Sequence, residues 1–316
     1  MNVEKVTSIF EGWIYDHAQY TTILETLATE IEYVFAGSSP IVFPLLGDSR
    51  AGKTALLKDI EARFGNQLSE SGHKRVLRVS MPTAASNETL AKSIIKKILG
   101  DIPIKGKTFD ILERAQQTMQ AAGVLVLLID ETNHLIEKRS TERAQNKDNR
   151  LTADWLKELV DQSGISVVVT GLSHVSRLYA DNDQLENRGL VGARIDPYAW
   201  SNQSDRQQFR DTVSAGIAHM QDHGWTVSVE MDLLTRTIYL GGGGYIGKAR
   251  DLLARMETLG NKQKLLDRKL LAKAYSDKYR RDAIGDPLLL KTIDDVMLNG
   301  AHRKAMERAL ISGRGR

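Results

Sequence analysis

Cysteine is absent from the 316-residue sequence, which excludes disulfides and thiolate metal centres. Long apolar runs are absent too, since no window approaches the ~20 residues that a membrane span needs. The stretch 1–20 alternates charged and apolar residues and lacks the apolar core of a signal peptide. A cytoplasmic protein with no membrane partner is the resulting expectation. Compositional bias is missing as well. Apolar residues make up 41% of the chain and charged residues 26%, a globular balance that gives no reason to start from a disordered or fibrous chain. No internal repeat is visible. The length suits one large domain or two modest ones.

The net charge of +3 hides an asymmetry. From residue 261 onward, 14 Lys/Arg stand against 7 Asp/Glu, a balance of +7 that leaves −4 on the remainder. A basic end on a mildly acidic body suggests an anionic partner or an acidic protein. A solvated helix surface with a frayed tail accounts for it equally well.

Residues 1–38 read as helical, because Ile9, Trp13, Tyr20, Ile23, Leu24, Leu27, Ile31 and Val34 recur at roughly helical spacing. Gly37, Ser38, Ser39 and Pro40 break the pattern. The apolar run 41–46 suits a buried parallel strand, although Pro44 is awkward inside one. Further strands are expected at 75–81, 124–129 and 165–170, with a short fifth at 193–196. Helices are expected at 54–64, 87–99 (capped by Ser86) and 109–121. Strands alternating with helices imply an α/β fold with a parallel sheet covered on both faces. Beyond about 201–204 the chain reads as nearly all helix, at 205–221, 230–239, 246–258, 264–283 and 288–310. Residues 312–316 read as a flexible tail.

The strongest motif is Gly47-Asp48-Ser49-Arg50-Ala51-Gly52-Lys53-Thr54, which follows an apolar strand and opens a helix. Its glycines allow a backbone whose N–H groups turn inward around phosphates, beside a helix N-terminus. Lys53 is expected on the β- and γ-phosphates and Thr54 on Mg²⁺; Ala55 continues the nucleotide-binding segment. Asp130-Glu131 closes the fully apolar run 124–129. Ligands of such sheets gather at strand carboxyl ends, so Asp130 is assigned to Mg²⁺ and Glu131 to the attacking water. Thr170 ends the next strand, where a hydroxyl can polarise water or sense the γ-phosphate, or where a β-branched residue simply fits.

These parts together resemble the AAA+ class, and more closely the TniB/TnsC-type ATPases, target-selecting regulators of transposons. The segments that carry this are Phe10-Glu11-Gly12-Trp13, the phosphate loop, Met81-Pro82-Thr83, Ile129-Asp130-Glu131-Thr132-Asn133-His134-Leu135, Val169-Thr170-Gly171, Asp183-Gln184-Leu185-Glu186-Asn187-Arg188 and Gly244-Tyr245-Ile246-Gly247-Lys248. The likeness runs over about 5–260. It implies an N-terminal helical extension (1–38), an AAA+ α/β nucleotide-binding domain (39–203), a helical lid (204–285) and a C-terminal helix with a basic tail (286–316). It also implies ATP-dependent homo-oligomers or filaments on double-stranded DNA that link a target-recognition protein to a transposase, nucleoid-associated when bound. An arginine from a neighbouring protomer would then meet the γ-phosphate. Arg188 aligns best with that role and Arg194 is the reserve; each is equally readable as a solvated or ion-paired arginine. Where many AAA+ proteins carry a cis-sensor arginine, this chain has Gly247, with Lys248 as the substitute, a point charge without the guanidinium fork.

A filament that accepts many targets needs phosphate contacts. Lys92, Lys105, Lys107 and Thr108 fall where the family's DNA-facing loops lie. Lys138, Arg139, Arg143, Lys147 and Arg150 are the second candidate, although interleaved acids make a solvated helix and loop the better reading there. The alternatives are an AAA+ replication initiator or loader-like ATPase, and a signalling P-loop ATPase that does not use DNA.

Overall fold

The computed structural model describes residues 8–81, 86–133, 142–172, 175, 192–279 and 293–313; of the side chains, those of 142–150 and 310–313 are not described. They cluster into two units. One is an α/β unit within Gln19–Ser49, Lys53–Ile195 and Ile311–Arg316. The other is a helical unit within Met1–Ala18, Arg50–Gly52 and Asp196–Leu310.

In the α/β unit, β1 (Val42–Gly47), β2 (Val76–Ser80), β3 (Val126–Asp130), β4 (Ser166–Gly171) and β5 (Ala193–Ile195) form one sheet in the order β2-β3-β4-β1-β5. Every neighbouring pair is parallel. Every residue of β3 and β4 is buried, as expected for central strands of a sheet covered on both faces. Pro44 fits because of its register. Ile41 O accepts from Val167 N, so alternate residues Phe43 and Leu45 face β4, and Pro44 faces the other side. There β5 begins to pair only at Leu45↔Ala193, so the missing N–H interrupts no ladder.

The unit's helices are α1 (Ala18–Phe35), α2 (Lys53–Arg63), α3 (Asn87–Leu99), α4 (Thr108–Ala122) and α5 (Glu142–Asp161). α1 buries Ile23, Leu27, Ile31 and Val34, and its Tyr20 hydroxyl donates to Asp59 Oδ2 at 2.6 Å. Ser86 caps α3 as expected. Its hydroxyl accepts from Thr89 N, and Thr89 Oγ1 accepts from Ser86 N at 2.8 Å. α5 supplies the helical part of the helix-and-loop reading of 138–150, and its second half buries Trp155, Leu156, Leu159 and Val160.

The helical unit contains α6 (Gln203–Asp222), α7 (Met231–Gly242), α8 (Ile246–Gly260), α9 (Arg268–Tyr279) and α10 (Asp295–Gly313). Trp200, Phe209 and Tyr239 lie at its centre, and Tyr239 donates to Tyr198 O at 2.6 Å. Asp295 accepts from Trp200 Nε1 at 3.0 Å and from Arg236 Nη1 at 2.7 Å. These two donors hold its carboxyl below the ordinary aspartate range.

Two readings of this region need correction. The helix expected at 264–283 starts only at Arg268, since β6 (Thr226–Val227) and β7 (Leu265–Leu266) form a two-residue parallel pair. Asp267 then starts the helix by accepting from Leu270 N at 2.7 Å. Residues 8–17 form turns and irregular chain where a helix was expected. Gly12 has φ +76, which a helix does not accommodate. Phe10 is 1% exposed, Ile9 N donates to Glu257 Oε1 at 3.1 Å, Ser8 Oγ donates to Glu257 Oε2, and His219 Nε2 meets Ile9 O at 2.8 Å.

Candidate functional site

The phosphate loop leaves the carboxyl end of β1 and enters α2, which Leu56, Leu57 and Ile60 anchor in the core. Arg50 (φ 66) and Gly52 (φ 107) both take left-handed backbone within three residues, a curvature that turns successive N–H groups toward one point. For Arg50 that conformation is strained. Ser49 N donates to Asp48 Oδ1 at 2.8 Å. Lys53 opens α2, and its Nζ donates to Gly47 O at 2.7 Å and Asp48 O at 2.9 Å. Burial pushes Lys53 down to about 8, against the opposing pull of Asp48, Asp130 and Glu131. Thr54 is exposed and Ala55 partly so, while Ala51 is buried.

Asp130 ends β3 at 2% exposure, and its main-chain oxygen accepts from Met81 N. Thr170, on the adjacent strand β4, is fully buried and donates from Oγ1 to Asp130 Oδ1 at 2.8 Å. Glu131 N donates to both members of this pair, at 3.0 Å to Asp130 Oδ1 and 3.2 Å to Thr170 Oγ1. Thr132 N donates to Thr170 O at 2.8 Å. Four consecutive links therefore fix the chain as it leaves β3, and they hold Glu131 at φ 59 with an exposed side chain. The arrangement presents a fixed carboxylate, an outward carboxylate and an ammonium whose charge feels both. Sequence reasoning identified Thr170 but missed its bond to Asp130, since no local pattern reports which strand lies beside which.

Residues 5–191 match the family model for the bacterial TniB protein. The chain belongs to the TniB family. Among solved structures it is similar to Aeropyrum pernix ORC1 in complex with DNA, at 16% identity and TM-score 0.62 over 86% of this chain and 69% of that one. It is also similar to Cdc6p from Pyrobaculum aerophilum, at 14% identity and TM-score 0.63 over 95% and 83%. A third is the Aeropyrum pernix ORC2 protein with ADPNP and ADP, at 16% identity and TM-score 0.58 over 85% and 71%. These likenesses establish the AAA+ fold with its helical C-terminal domain. A search of curated proteins finds no match.

In this TniB-family chain the remaining expected residues are scattered. Lys248 lies on α8, its Nζ 4.4 Å from the Tyr245 ring centroid, in a cavity of about 140 Å³ lined also by Tyr275, Tyr279 and Arg308. Gly247 does lie against the phosphate loop's tip, which groups with the helical unit. A Cβ there would come 2.0 Å from Arg50 O, so glycine is required. Arg50 Nε and Asp251 Oδ2 stand 3.5 Å apart. Arg250 Nη1 donates to Trp13 O at 3.4 Å. Arg194 lies in β5, partly exposed; Arg188 lies outside the described residues.

Of the DNA candidates, Lys92 Nζ bonds Glu88 Oε1 at 2.6 Å, and Thr108 Oγ1 donates to Glu88 Oε2 at 2.9 Å. Glu88 thus gathers two of the four. Lys105 and Lys107 are exposed. Lys138 and Arg139 lie outside the described residues, as do the side chains of Arg143, Lys147 and Arg150.

Proposed function

We propose that this chain is a Mg²⁺-dependent ATPase that oligomerises on duplex DNA and links a target-recognition protein to a transposase. The observation that carries the catalytic half is the bond from Thr170 to Asp130, with Glu131 pinned beside it and Lys53 within electrostatic reach. In this reading Lys53 binds the β- and γ-phosphates of ATP. A polyanion placed there favours the ammonium form that burial alone disfavours. The donor set of Asp130 carboxylate and exposed Thr54 hydroxyl is hard oxygen, which suits Mg²⁺ shared with phosphates. When bound, that ion neutralises charge developing on the phosphates. Glu131 accepts a proton from the attacking water. Arg188 supplies the trans arginine, and Lys248 the cis charge if the lid brings it to the nucleotide.

The DNA and transposition half rests on family membership and on the exposed cations Lys105 and Lys107. Nucleotide titration and turnover of Lys53→Ala and Glu131→Gln test the first half; wild-type affinity in the first or wild-type turnover in the second contradicts the assigned role. Arg188→Ala mixed with Lys53→Ala tests the composite site, since a mixed interface can pair one intact cis half with one intact trans half. No recovery despite co-assembly contradicts a trans role.

The likeness to initiator proteins favours one second reading, an AAA+ replication initiator or loader. Electron microscopy with duplex DNA and a non-hydrolysable ATP analogue separates the two: helical filaments support the transposition regulator, and closed rings or isolated particles support the initiator. Absence of salt-dependent duplex binding would leave the signalling ATPase.

A further inference from the structure

Phe109 is a large apolar side chain that α4 leaves uncovered. The helix buries Ile111, Ala115, Met119 and Ala122, a single stripe at helical spacing. Phe109 precedes Ile111 by two residues, roughly 200° around the helix from it, and is 72% exposed. A phenyl ring held in water forgoes a large burial energy, so its surroundings show what it is presented to. Gly106, at φ 138, turns the chain into the helix, and Lys105 and Lys107 stand exposed on either side of that turn. Each nearby carboxylate accepts a hydrogen bond, and Glu88 is neutralised by Lys92, while Asp110 and Glu113 keep their charge. Asp110 Oδ2 accepts from Lys107 N at 3.3 Å, Glu88 accepts from Lys92 and Thr108, and Glu113 accepts from Gln117 Nε2 at 3.2 Å. The corner therefore offers an aromatic ring beside two exposed ammonium groups.

We propose that Phe109 is a wedge that enters the minor groove of duplex DNA and parts a base step while Lys105 and Lys107 hold phosphates beside it. The inference rests on the DNA-binding reading above and adds to it a contact that charge alone does not provide. Charge complementarity favours DNA over an apolar protein surface, because an exposed ring that follows two exposed cations matches a groove of sugars and bases bordered by phosphates. Cationic contacts orient the duplex without reading it. An inserted apolar side chain partly unstacks a step and bends the duplex, so this corner prefers sequences that deform readily.

The test uses the full chain, a non-hydrolysable ATP analogue and a duplex carrying 2-aminopurine, whose fluorescence rises on unstacking. Phe109→Ala is expected to weaken duplex binding about tenfold and to abolish the fluorescence rise. Its slope of log affinity against log salt is expected to stay at the wild-type value, since no charge is lost. Lys105→Ala/Lys107→Ala is expected to flatten that slope by about 1.8. Phe109→Leu, still apolar, is expected to recover part of the affinity. Unchanged affinity and fluorescence in Phe109→Ala, with a flattened slope in the double variant, overturns the wedge and leaves the DNA reading intact. No duplex binding by the wild-type chain overturns both. Loss of self-association in Phe109→Ala without DNA, read by sedimentation, makes a second copy of the chain the occupant and overturns the wedge. Thermal melts confirm that each variant is folded.

Discussion

The strand ends and the α3–α4 corner use charged and polar groups in opposite ways. At the strand ends Asp130 and Thr170 are buried, and each is held by more than one bond. At the corner Lys105, Lys107 and Phe109 stand in water on one turn. A buried network acts as a unit, so removing one member disturbs the others. Exposed groups act nearly independently, and their contributions are screened by salt. Substitutions at the first region should therefore change rates abruptly, and those at the second should change affinities in separable, salt-dependent steps.

The largest expected break in that comparison is Glu131→Gln. Loss of the proton acceptor should lower ATP turnover by roughly a hundredfold to ten-thousandfold while nucleotide affinity persists, as measured by phosphate release and by titration. Lys53 gives a pH signature of the buried region. Its pKa falls from 10.5 to about 8 on folding, so between those values the unfolded chain carries the extra proton. Raising pH across that window should then stabilise the nucleotide-free protein, and below about 8 the buried ammonium should cost on the order of 3 kcal/mol. Denaturant melts of Lys53→Met against wild type check this: the variant should lack the rise. Nucleotide affinity should move the other way, weakening as pH climbs past about 8.

Thr170→Val keeps shape and removes the hydroxyl. It should cost about 1–3 kcal/mol, because Asp130 Oδ1 loses one of its two donors, and should lower turnover as well. Thr170→Ser should restore both, read by melts and ATPase assays. At the corner, Lys105→Ala/Lys107→Ala should bind duplex more weakly at low salt but lose about tenfold less affinity than wild type between 50 and 200 mM salt, because its slope is flatter. Adding Lys92→Ala should change the slope little further, since that ammonium already bonds Glu88. The smallest effect expected is Ser86→Ala, about 1 kcal/mol in a melt from loss of the α3 cap, with turnover unchanged.

Legibility in the sequence follows the same division. The phosphate loop and Asp130-Glu131 stood out because their chemistry fixes residue type and spacing along a continuous stretch. Ser86 was legible because a cap is a local event. The run 8–17 misled, since Ile9 and Trp13 extend backwards the helical period that Tyr20 begins in α1, and Gly12 at φ 76 interrupts it. The β6–β7 pair is two residues long, too short to show any period. Thr170's hold on Asp130 depends on β3 lying beside β4, a long-range fact. Phe109 was read only as the start of a helix, because helical spacing sets it opposite Ile111 but does not say whether another element covers that face.

The grip of Glu257 on Ser8 and Ile9 has a consequence for biosynthesis. The partners are separated by 249 positions along the chain. Residues 8–13 leave the ribosome before His219, Arg250 and Glu257, which lie 210 or more positions further along the chain. At about 5–20 residues per second, Phe10 and Trp13 would wait on the order of ten seconds or more for their packing partners. The helical unit therefore closes late and through contacts of high sequence separation, which fold slowly. During that interval Phe10 and Trp13 lack the side chains that later cover them.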